Sequence, residues 1–254
     1  MYAHLNKFSL CALAALAAAW APAQAASSTV AASIDHFQYQ LVDLDLADGI
    51  SPSIIFANER WSSETYGAGQ QQSLAAPGTT SIVTEFGTSG TTLSHSTLSS
   101  TASVNFPVPA DGVKHLYWNR NSHSASFTLS PNTQLIFTGV ARLSEQLVQK
   151  FDYSAGRIKM QGTLGDEADL MSTFEKSYLT NDGAATINLY GMLISDAQAR
   201  QGQFSLETAA SLSAPIAPIP SVPEPSSYAM LLAGTCLVGA VARRRRRAVA
   251  RQAA

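Results

Sequence analysis

Three carboxylates lie close together in the chain, at Asp43, Asp45 and Asp48. Because Ca²⁺ prefers carboxylate and carbonyl oxygens as ligands, this stretch is a candidate calcium loop. The EF-hand pattern requires ligands at loop positions 1, 3 and 5, glycine at 6 and glutamate at 12. Counted from the first aspartate, position 5 is Ala47 and position 12 is Ile54, so the pattern fails. A looser calcium site is one hypothesis, and aspartates that face water before a turn are the other.

Other polar residues give weaker evidence for a metal site. Asp166, Glu167 and Asp169 form a second acidic group, which a solvated loop explains as well as a cation does. Zinc needs three or four converging ligands, and the histidine spacing matches no zinc motif. The histidines of the body are His36, His95, His115 and His123. We therefore expect no metal and no cofactor.

The residue pattern is not typical of an enzyme. The two cysteines, Cys11 and Cys236, lie near the two ends of the chain, which excludes thiol catalysis by the part between them. The sequence contains no Gly-x-Ser-x-Gly motif for a serine nucleophile. A glycosidase needs paired acids, and linear sequence does not pair the carboxylates. We expect no catalytic residues, and a secreted hydrolase is the least favoured alternative.

Aromatic residues could bind carbohydrate, since flat rings stack on the faces of sugars. Trp61 follows Arg60, and Trp118 lies in the run Tyr117-Trp118-Asn119-Arg120. Polar groups therefore flank both indole rings. In a β-sandwich, however, a tryptophan is as often a core residue. Trp61 and Trp118 are the candidate glycan contacts.

Strands must position these residues, because period-two alternation dominates the body. Phe37, Tyr39 and Leu41 alternate with glutamines, and we expect a phase slip near Val42. Many short strands with turn signals and no long amphipathic helix predict an all-β fold, an antiparallel, jelly-roll-like β-sandwich. Further strands are expected at 53–59, 81–86, 102–108, 115–119, 124–130, 133–142, 156–163, 173–180, 185–195 and 203–211.

Two turns and one biased segment complete the prediction for the body. Pro131-Asn132 predicts a turn, and Asn181-Asp182-Gly183 predicts a hairpin turn between its flanking strands. From Thr79 to Ser103, 15 of 25 residues are Ser or Thr. We interpret most of this segment as solvent-exposed strand faces, which accept Thr readily. A mobile or glycosylated loop is the alternative.

The N-terminus has the order of a secretory signal peptide. Lys7 is its one charged residue, an apolar run follows, and the small residues Ala23 and Ala25 precede Ala26. Small residues at these two positions are what a signal peptidase recognises. We predict cleavage after Ala25 and export of the remainder.

The charges divide unevenly along the chain. Residues 26–222 carry 9 basic and 17 acidic residues, whereas most of the other basic residues form a cluster near the C-terminus. An acidic body argues against nucleic acid or anionic lipid as its main partner. It is compatible with divalent cations or with simple solubility, and we favour solubility.

The C-terminal segment begins with a spacer. Five prolines lie between residues 213 and 225, and prolines hold a chain extended and semi-rigid. The spacer ends in a Pro-Glu-Pro unit whose two prolines exclude a helix. Its last four residues are Val222, Pro223, Glu224 and Pro225. An extended strip of this kind is accessible to a processing enzyme.

An uncharged run and an arginine cluster follow the spacer. Residues 226–242 contain no charge and as a helix would span roughly 25 Å at about 1.5 Å per residue, just enough for a bilayer core. Charge asymmetry then places the arginines in the cytoplasm and the body outside the inner membrane. The arginines are Arg243, Arg244, Arg245, Arg246 and Arg247. An ordinary tail anchor is the alternative interpretation.

The three parts in this order resemble the PEP-CTERM sorting signal of Gram-negative bacteria. In that family a V-P-E-P motif precedes one transmembrane helix and a terminal arginine cluster. Seven residues, 248–254, follow the arginines here, where the family often stops sooner. The resemblance implies processing by an exosortase, a membrane enzyme, and export of the body to the cell surface or the extracellular matrix. It also implies a link to exopolysaccharide.

These features predict five segments. They are a signal peptide over 1–25, a β-sandwich over 26–212, a proline-rich spacer over 213–225, a transmembrane helix over 226–242 and a basic cytoplasmic tail over 243–254. The expected processing partners are signal peptidase and exosortase. The inner membrane is a transient partner during export, exopolysaccharide is a further candidate partner, and nucleic acid is not expected. The favoured function is that of a non-enzymatic surface or matrix protein, with a carbohydrate-binding module as the alternative.

Overall fold

Twelve strands and no helix make up the regular structure of the described residues, which are 26–108, 113–148, 151–165, 172–180 and 183–214 of a computed structural model. The predicted signal peptide, spacer, transmembrane helix and basic tail therefore lie outside the described residues, apart from residues 213 and 214. So do Asp166, Glu167 and Asp169. Among the residues that are described, no helix is long and apolar enough to cross a bilayer.

Strands run from Ser27 to Ser213. They are β1 (Ser27–Asp43), β2 (Ile54–Gly67), β3 (Gln70–Leu74), β4 (Gly78–Thr84), β5 (Gly87–Leu93), β6 (Leu98–Asn105), β7 (Leu116–Leu129), β8 (Thr133–Gln146), β9 (Tyr153–Leu164), β10 (Ser172–Leu179), β11 (Gly183–Ile194) and β12 (Arg200–Ser213). The two strands predicted at 115–119 and 124–130 are one continuous strand, β7. The alternation of buried and exposed residues continues through their junction without a break.

The strands form two six-stranded antiparallel sheets. Sheet I has the order β11-β8-β1-β6-β5-β4, and sheet II has the order β10-β9-β12-β7-β2-β3. The inward face of each sheet packs on the other, which confirms the antiparallel sandwich predicted from the sequence. The jelly-roll-like detail stays a prediction.

Aromatic rings fill the larger of the two apolar clusters between the sheets. The ring of Phe37 stacks on those of Phe137 and Phe204, with centroids 5.8 and 5.9 Å apart. Removing each such ring from water contributes on the order of 1.5–3 kcal/mol. Burial of these rings therefore contributes much of the free energy that holds sheet I against sheet II in this cluster.

Hydroxyl and amide groups fill the space beneath β4, β5 and β6. The Thr91 hydroxyl lies 2.5 Å from that of Ser63 and 2.6 Å from that of Thr80, and all three side chains are buried. The Asn121 amide on β7 donates to the carbonyls of Thr92 and Ser99 at 3.0 and 2.6 Å. The interpretation of segment 79–103 as solvent-exposed faces is thus only half right. Every second residue points inward, and the inward residues that are Ser or Thr have partners for their hydroxyl groups.

The phase slip in β1 lies earlier than predicted. The pairing with β8 shifts between Asp35 and Gln38, whereas it continues without a shift through Val42. His36 adopts a positive φ of 53° there, and burial switches from Ile34 to Phe37. The prediction failed because small residues before Ile34 set the earlier phase, and their burial is not visible in the alternation of large side chains.

The strands on either side of residues 181–183 do not form the predicted hairpin. β10 pairs with β9 in sheet II, and β11 pairs with β8 in sheet I. A turn signal predicts a local reversal of the chain but not the strand with which the next segment pairs. Pro131-Asn132 is a turn as predicted, with Asn132 at a φ of 48°, and it also links the two sheets.

Candidate functional site

Trp118 and Tyr66 form a stacked pair on the outer face of sheet II. They are cross-strand partners on β7 and β2, and their ring centroids lie 6.0 Å apart at an interplanar angle of 13°. Both side chains point outward, because the residues on either side of each, such as Tyr117 and Gly67, are buried. The pair is half-buried and offers a flat aromatic surface to solvent.

Polar residues continue the same row of the sheet on both sides of this pair. Ser211 on β12 lies opposite Trp118, and Gln71 on β3 lies opposite Tyr66. Neighbouring strands are about 4.8 Å apart, so the four side chains form a strip about 15–20 Å long. A strip of this length with aromatic rings at its centre matches the size of a short oligosaccharide. We call these four residues the aromatic strip.

Two arginines flank one carboxylate in the rows next to the aromatic strip. Arg120 on β7 and Arg157 on β9 each donate from Nη2 to a different oxygen of Glu207 on β12. The Glu207 residue is only 9% exposed, while the side chains of Arg120 and Arg157 are 55% and 45% exposed. A guanidinium group has five N–H donors, so both groups present donors to solvent as well as to Glu207.

The local sequence explains why these side chains converge. Arg120 and Arg157 both lie opposite Ala209, one on each side of β12. The small Ala209 side chain leaves room for the two guanidinium groups to reach Glu207, two residues earlier on the same face. Trp118 and Arg120 stand out in the sequence, whereas Tyr66, Arg157 and Glu207 do not, because their proximity depends on the pairing of strands distant in sequence.

Trp61 lies in a different environment from Trp118. Its ring stacks on the buried His123 ring with centroids 3.5 Å apart, and the His95 ring meets it edge-on at 4.9 Å. Trp61 also packs against the larger core cluster. One face of this indole is therefore covered by protein. Trp118 is the better placed of the two candidate glycan contacts.

His123 is a titratable group within the core. Its Nε2 lies 3.2 Å from Oε1 of Glu59, whereas Nδ1 is buried and has no hydrogen-bond partner among the described residues. Burial lowers the pKa of His123, and the bond to Glu59 and its charge only partly oppose this effect. The ring is consequently neutral at pH 7, with Nε2–H as the donor to Glu59.

The three aspartates of the candidate calcium loop accept hydrogen bonds from the backbone of that loop. Oδ1 of Asp43 accepts from the backbone N–H of Asp45, and Oδ1 of Asp45 accepts from that of Ala47. Asp48 accepts from Ile50 N–H at 2.7 Å, and the Asn132 amide, which lies 2.8 Å away, is the main cause of its lowered pKa. These bonds match the alternative hypothesis of turn-forming aspartates.

The described residues contain no group of three or more His, Cys, Asp or Glu side chains that could hold a metal ion. Of the four histidines, only His95 and His123 are brought together, on two sides of Trp61. His115 packs on Phe86 instead, and His36 lies at the irregularity in β1. The calcium hypothesis stays a prediction without geometric support.

The PEP-CTERM protein-sorting motif matches the chain over residues 221–247. The match confirms the resemblance seen in the V-P-E-P sequence, the uncharged run and the arginine cluster. It supports an exported protein that is sorted to the cell surface by an exosortase. No curated protein matches the chain.

Two solved structures show weak similarity. The N-terminal CBM22-1-CBM22-2 tandem domain of Xyn10C from Paenibacillus barcinonensis is 11% identical, with 74% of this chain and 79% of that chain covered and a TM-score of 0.13. The secreted serine protease VesC from Vibrio cholerae is 8% identical, with 74% and 47% covered and a TM-score of 0.11. TM-scores this low do not indicate a shared fold, so neither structure informs the function.

Proposed function

We propose, from the PEP-CTERM protein-sorting motif that the chain carries at residues 221–247, that it is an exosortase substrate and a non-enzymatic protein of the cell surface or extracellular matrix. The signal peptide takes the body across the inner membrane, and the uncharged run of 226–242 holds the precursor there. The exosortase then acts near Pro223-Glu224-Pro225, and the β-sandwich leaves the membrane to join the exopolysaccharide matrix.

The motif match is the observation that carries this proposal, because it joins the three parts of the C-terminal segment into one signal. An extended Pro-Glu-Pro strip just outside the bilayer gives a membrane enzyme an accessible backbone. The arginines fix the orientation in which this strip faces outward. None of these residues acts as a catalyst in the proposal; they are the substrate.

Fractionation of the native host tests the proposal. Replacing Pro223, Glu224 and Pro225 with alanine should leave the protein in the inner membrane. Replacing Pro215 and Pro218, two prolines of the spacer outside the matched motif, is the control and should leave export unchanged. Equal distribution of all three proteins between membrane and surface would contradict a role for the motif.

Carbohydrate binding is a second candidate function, and the outward-facing stacked pair of Tyr66 and Trp118 favours it. Aromatic faces suit the C–H faces of sugar rings, and Ser211 and Gln71 can hydrogen-bond sugar hydroxyl groups. The half-exposed Arg120 and Arg157 suit the carboxylates of an acidic polysaccharide, since guanidinium and carboxylate groups match in geometry. The partner proposed here is thus the acidic exopolysaccharide of the host.

Affinity electrophoresis in gels that contain the purified exopolysaccharide tests this second function. Trp118→Ala should weaken retardation about tenfold. The loss of the aromatic contact and of the surface that it buries should reduce the binding free energy by roughly 1.4 kcal/mol. The control is Tyr39→Ala, which removes an aromatic residue that is 47% exposed on β1, away from both the aromatic strip and β11. Unchanged retardation of the Trp118 variant would exclude the aromatic strip as the binding site.

A further inference from the structure

The outermost strands of the two sheets differ in how they are protected against pairing with another strand. Edge strands carry unpaired N–H and C=O groups, and natural proteins protect them with short length, charged side chains, prolines or bulges. The edges here are β11 and β4 in sheet I and β10 and β3 in sheet II. Three of the four have such protection among the described residues.

The protected edges are short or charged. β3 has five residues and β4 has seven. β10 has eight, with Glu175 and Lys176 at its centre. These features oppose the growth of a sheet beyond any of these three strands.

β11 has none of these protections. It is twelve residues long, with the sequence GAATINLYGMLI, and contains neither a charge nor a proline. All twelve residues pair with β8 in one continuous register without a bulge. On its outer face Tyr190 is 50% exposed and Ile194 is 39% exposed.

The free side of β11 is a regular hydrogen-bonding surface. In an antiparallel strand alternate residues direct their N–H and C=O groups to opposite sides, so about six residues point away from β8. β8 is the strand paired with β11 among the described residues. This edge therefore offers a long row of donors and acceptors of the kind that a peptide strand recognises.

We propose that β11 is an assembly edge at which a second copy of this chain pairs, joining the two copies of sheet I into one sheet. A two-fold axis perpendicular to the sheet makes the two β11 strands antiparallel, and the same edge then serves both copies. Thr186, Asn188 and Tyr190 of both copies lie on the same outer face. Since β11 has no charge, no register of this pairing opposes like charges.

A second copy is the proposed partner because β11 lacks the charges, prolines and bulges by which natural sheets prevent edge-to-edge pairing between identical chains. Its β-branched and aromatic residues, Thr186, Ile187, Tyr190 and Ile194, suit a strand that is paired on both sides. In an exported matrix protein such pairing would double the number of polysaccharide-binding faces per particle, and linked sites bind a polymer with greater avidity. The pairing itself does not depend on polysaccharide binding.

Charge variants on the outer face test this pairing with the purified full chain in mild detergent, by light scattering and sedimentation. The wild type should have the mass of a dimer. Asn188→Lys and Asn188→Glu should each be monomeric. In the two longest registers that keep the outer faces together, Asn188 lies opposite either Asn188 or Tyr190 of the other copy, so like charges come close together. A mixture of the two variants should restore the dimer, which would show that both are folded.

Thr138→Lys is the matched control. Thr138 lies on the same outer face of β8, directly opposite Tyr190 and one strand in from the edge, so this variant should remain a dimer. A monomeric wild type would overturn the proposal. So would a dimer that survives Asn188→Lys, a mixture that stays monomeric, or a Thr138→Lys variant that is also monomeric.

Discussion

Trp61 and Trp118 differ in what lies against their rings, although both belong to neighbouring strands of sheet II. Trp61 has His123 3.5 Å from its ring centroid and packs on the core. Trp118 points outward and stacks with Tyr66 at 6.0 Å. Because the direction of a side chain follows the strand phase, sequence flanks alone could not separate the two roles.

His123 should make stability depend on pH. Its folded-state pKa lies below its ordinary value near 6.5, mainly because the ring is buried. As the pH falls below about 6.5, the unfolded chain takes up a proton on this histidine that the folded chain does not. The free energy of unfolding should therefore fall from its value above pH 6.5, and level off once the folded ring also protonates.

Urea unfolding at a series of pH values measures this dependence. His123→Phe keeps an aromatic ring against Trp61 but cannot titrate, so its decrease in stability below pH 6.5 should be smaller than that of the wild type. His95→Gln is the control. His95 is an exposed histidine on the other side of Trp61, and its charge is the smallest of the causes that shift the pKa of His123, so this variant should keep most of the wild-type decrease. If His123→Phe loses stability as steeply as the wild type, another group is responsible.

At the level of strands, alternation in the sequence located most elements but not their partners. The large alternating residues of β8 and β11, such as Phe137 and Leu189, are buried as the pattern predicts. The inward Ser and Thr residues of β4, β5 and β6 were missed, because a hydroxyl can be exposed or satisfied inside with equal ease. Whether such a hydroxyl group is exposed or buried depends on the side chains of the facing sheet.

The candidate site was predictable only in part for the same reason. Trp118 and Arg120 lie two residues apart on one strand, but Tyr66, Arg157 and Glu207 come from three other strands. Their convergence depends on the order of strands in sheet II, which includes connections that cross from one sheet to the other. A single sequence carries no direct signal for that order.

Close packing around β5, by its neighbour β6 and by Tyr117 of sheet II, predicts a sharp difference between two of its glycines. A Cβ atom at Gly87 would lie 2.3 Å from the backbone oxygen of Ser103 and 2.8 Å from the Tyr117 ring. Gly87→Ala should therefore cost about 1–3 kcal/mol of unfolding free energy, through forced displacement of packed atoms. Chemical denaturation followed by tryptophan fluorescence measures this cost.

Gly90→Ala is the matched control on the same strand. A Cβ atom there would lie 3.4 Å from the nearest atom, the backbone oxygen of Thr80, at ordinary contact distance. This substitution should change the free energy of unfolding by less than about 0.5 kcal/mol. If Gly87→Ala costs as little as Gly90→Ala, the atoms around Gly87 can move apart without loss of stability, which would contradict the prediction.

For the whole molecule, the charge distribution agrees with a division between a body and a sorting segment. Residues 26–222 carry 9 basic and 17 acidic residues, and the five consecutive arginines lie at 243–247. Yet four of those basic residues, Arg60, Arg120, Arg157 and Lys159, occupy outward positions of sheet II. The same face also carries Glu64, Glu175 and Glu207, so its charges nearly cancel, and an acidic polymer meets less repulsion there than the net charge of the body implies.

The proposed route also predicts the covalent form of the mature protein. Removal of the signal peptide leaves Ala26 as the first residue, directly before β1 at Ser27. Removal of the C-terminal segment near Pro223-Glu224-Pro225 leaves the whole sandwich, which ends at Ser213, intact. Both ends of the mature chain therefore fall outside the paired strands, and processing should not destabilise the fold.

Intact mass spectrometry of the native protein, recovered from the surface of its own host, tests the central claim most directly. We expect a chain that begins at Ala26 and ends before Arg243, because the exosortase has removed the arginine cluster. A surface protein that retains residues 243–254 would contradict processing at the sorting motif.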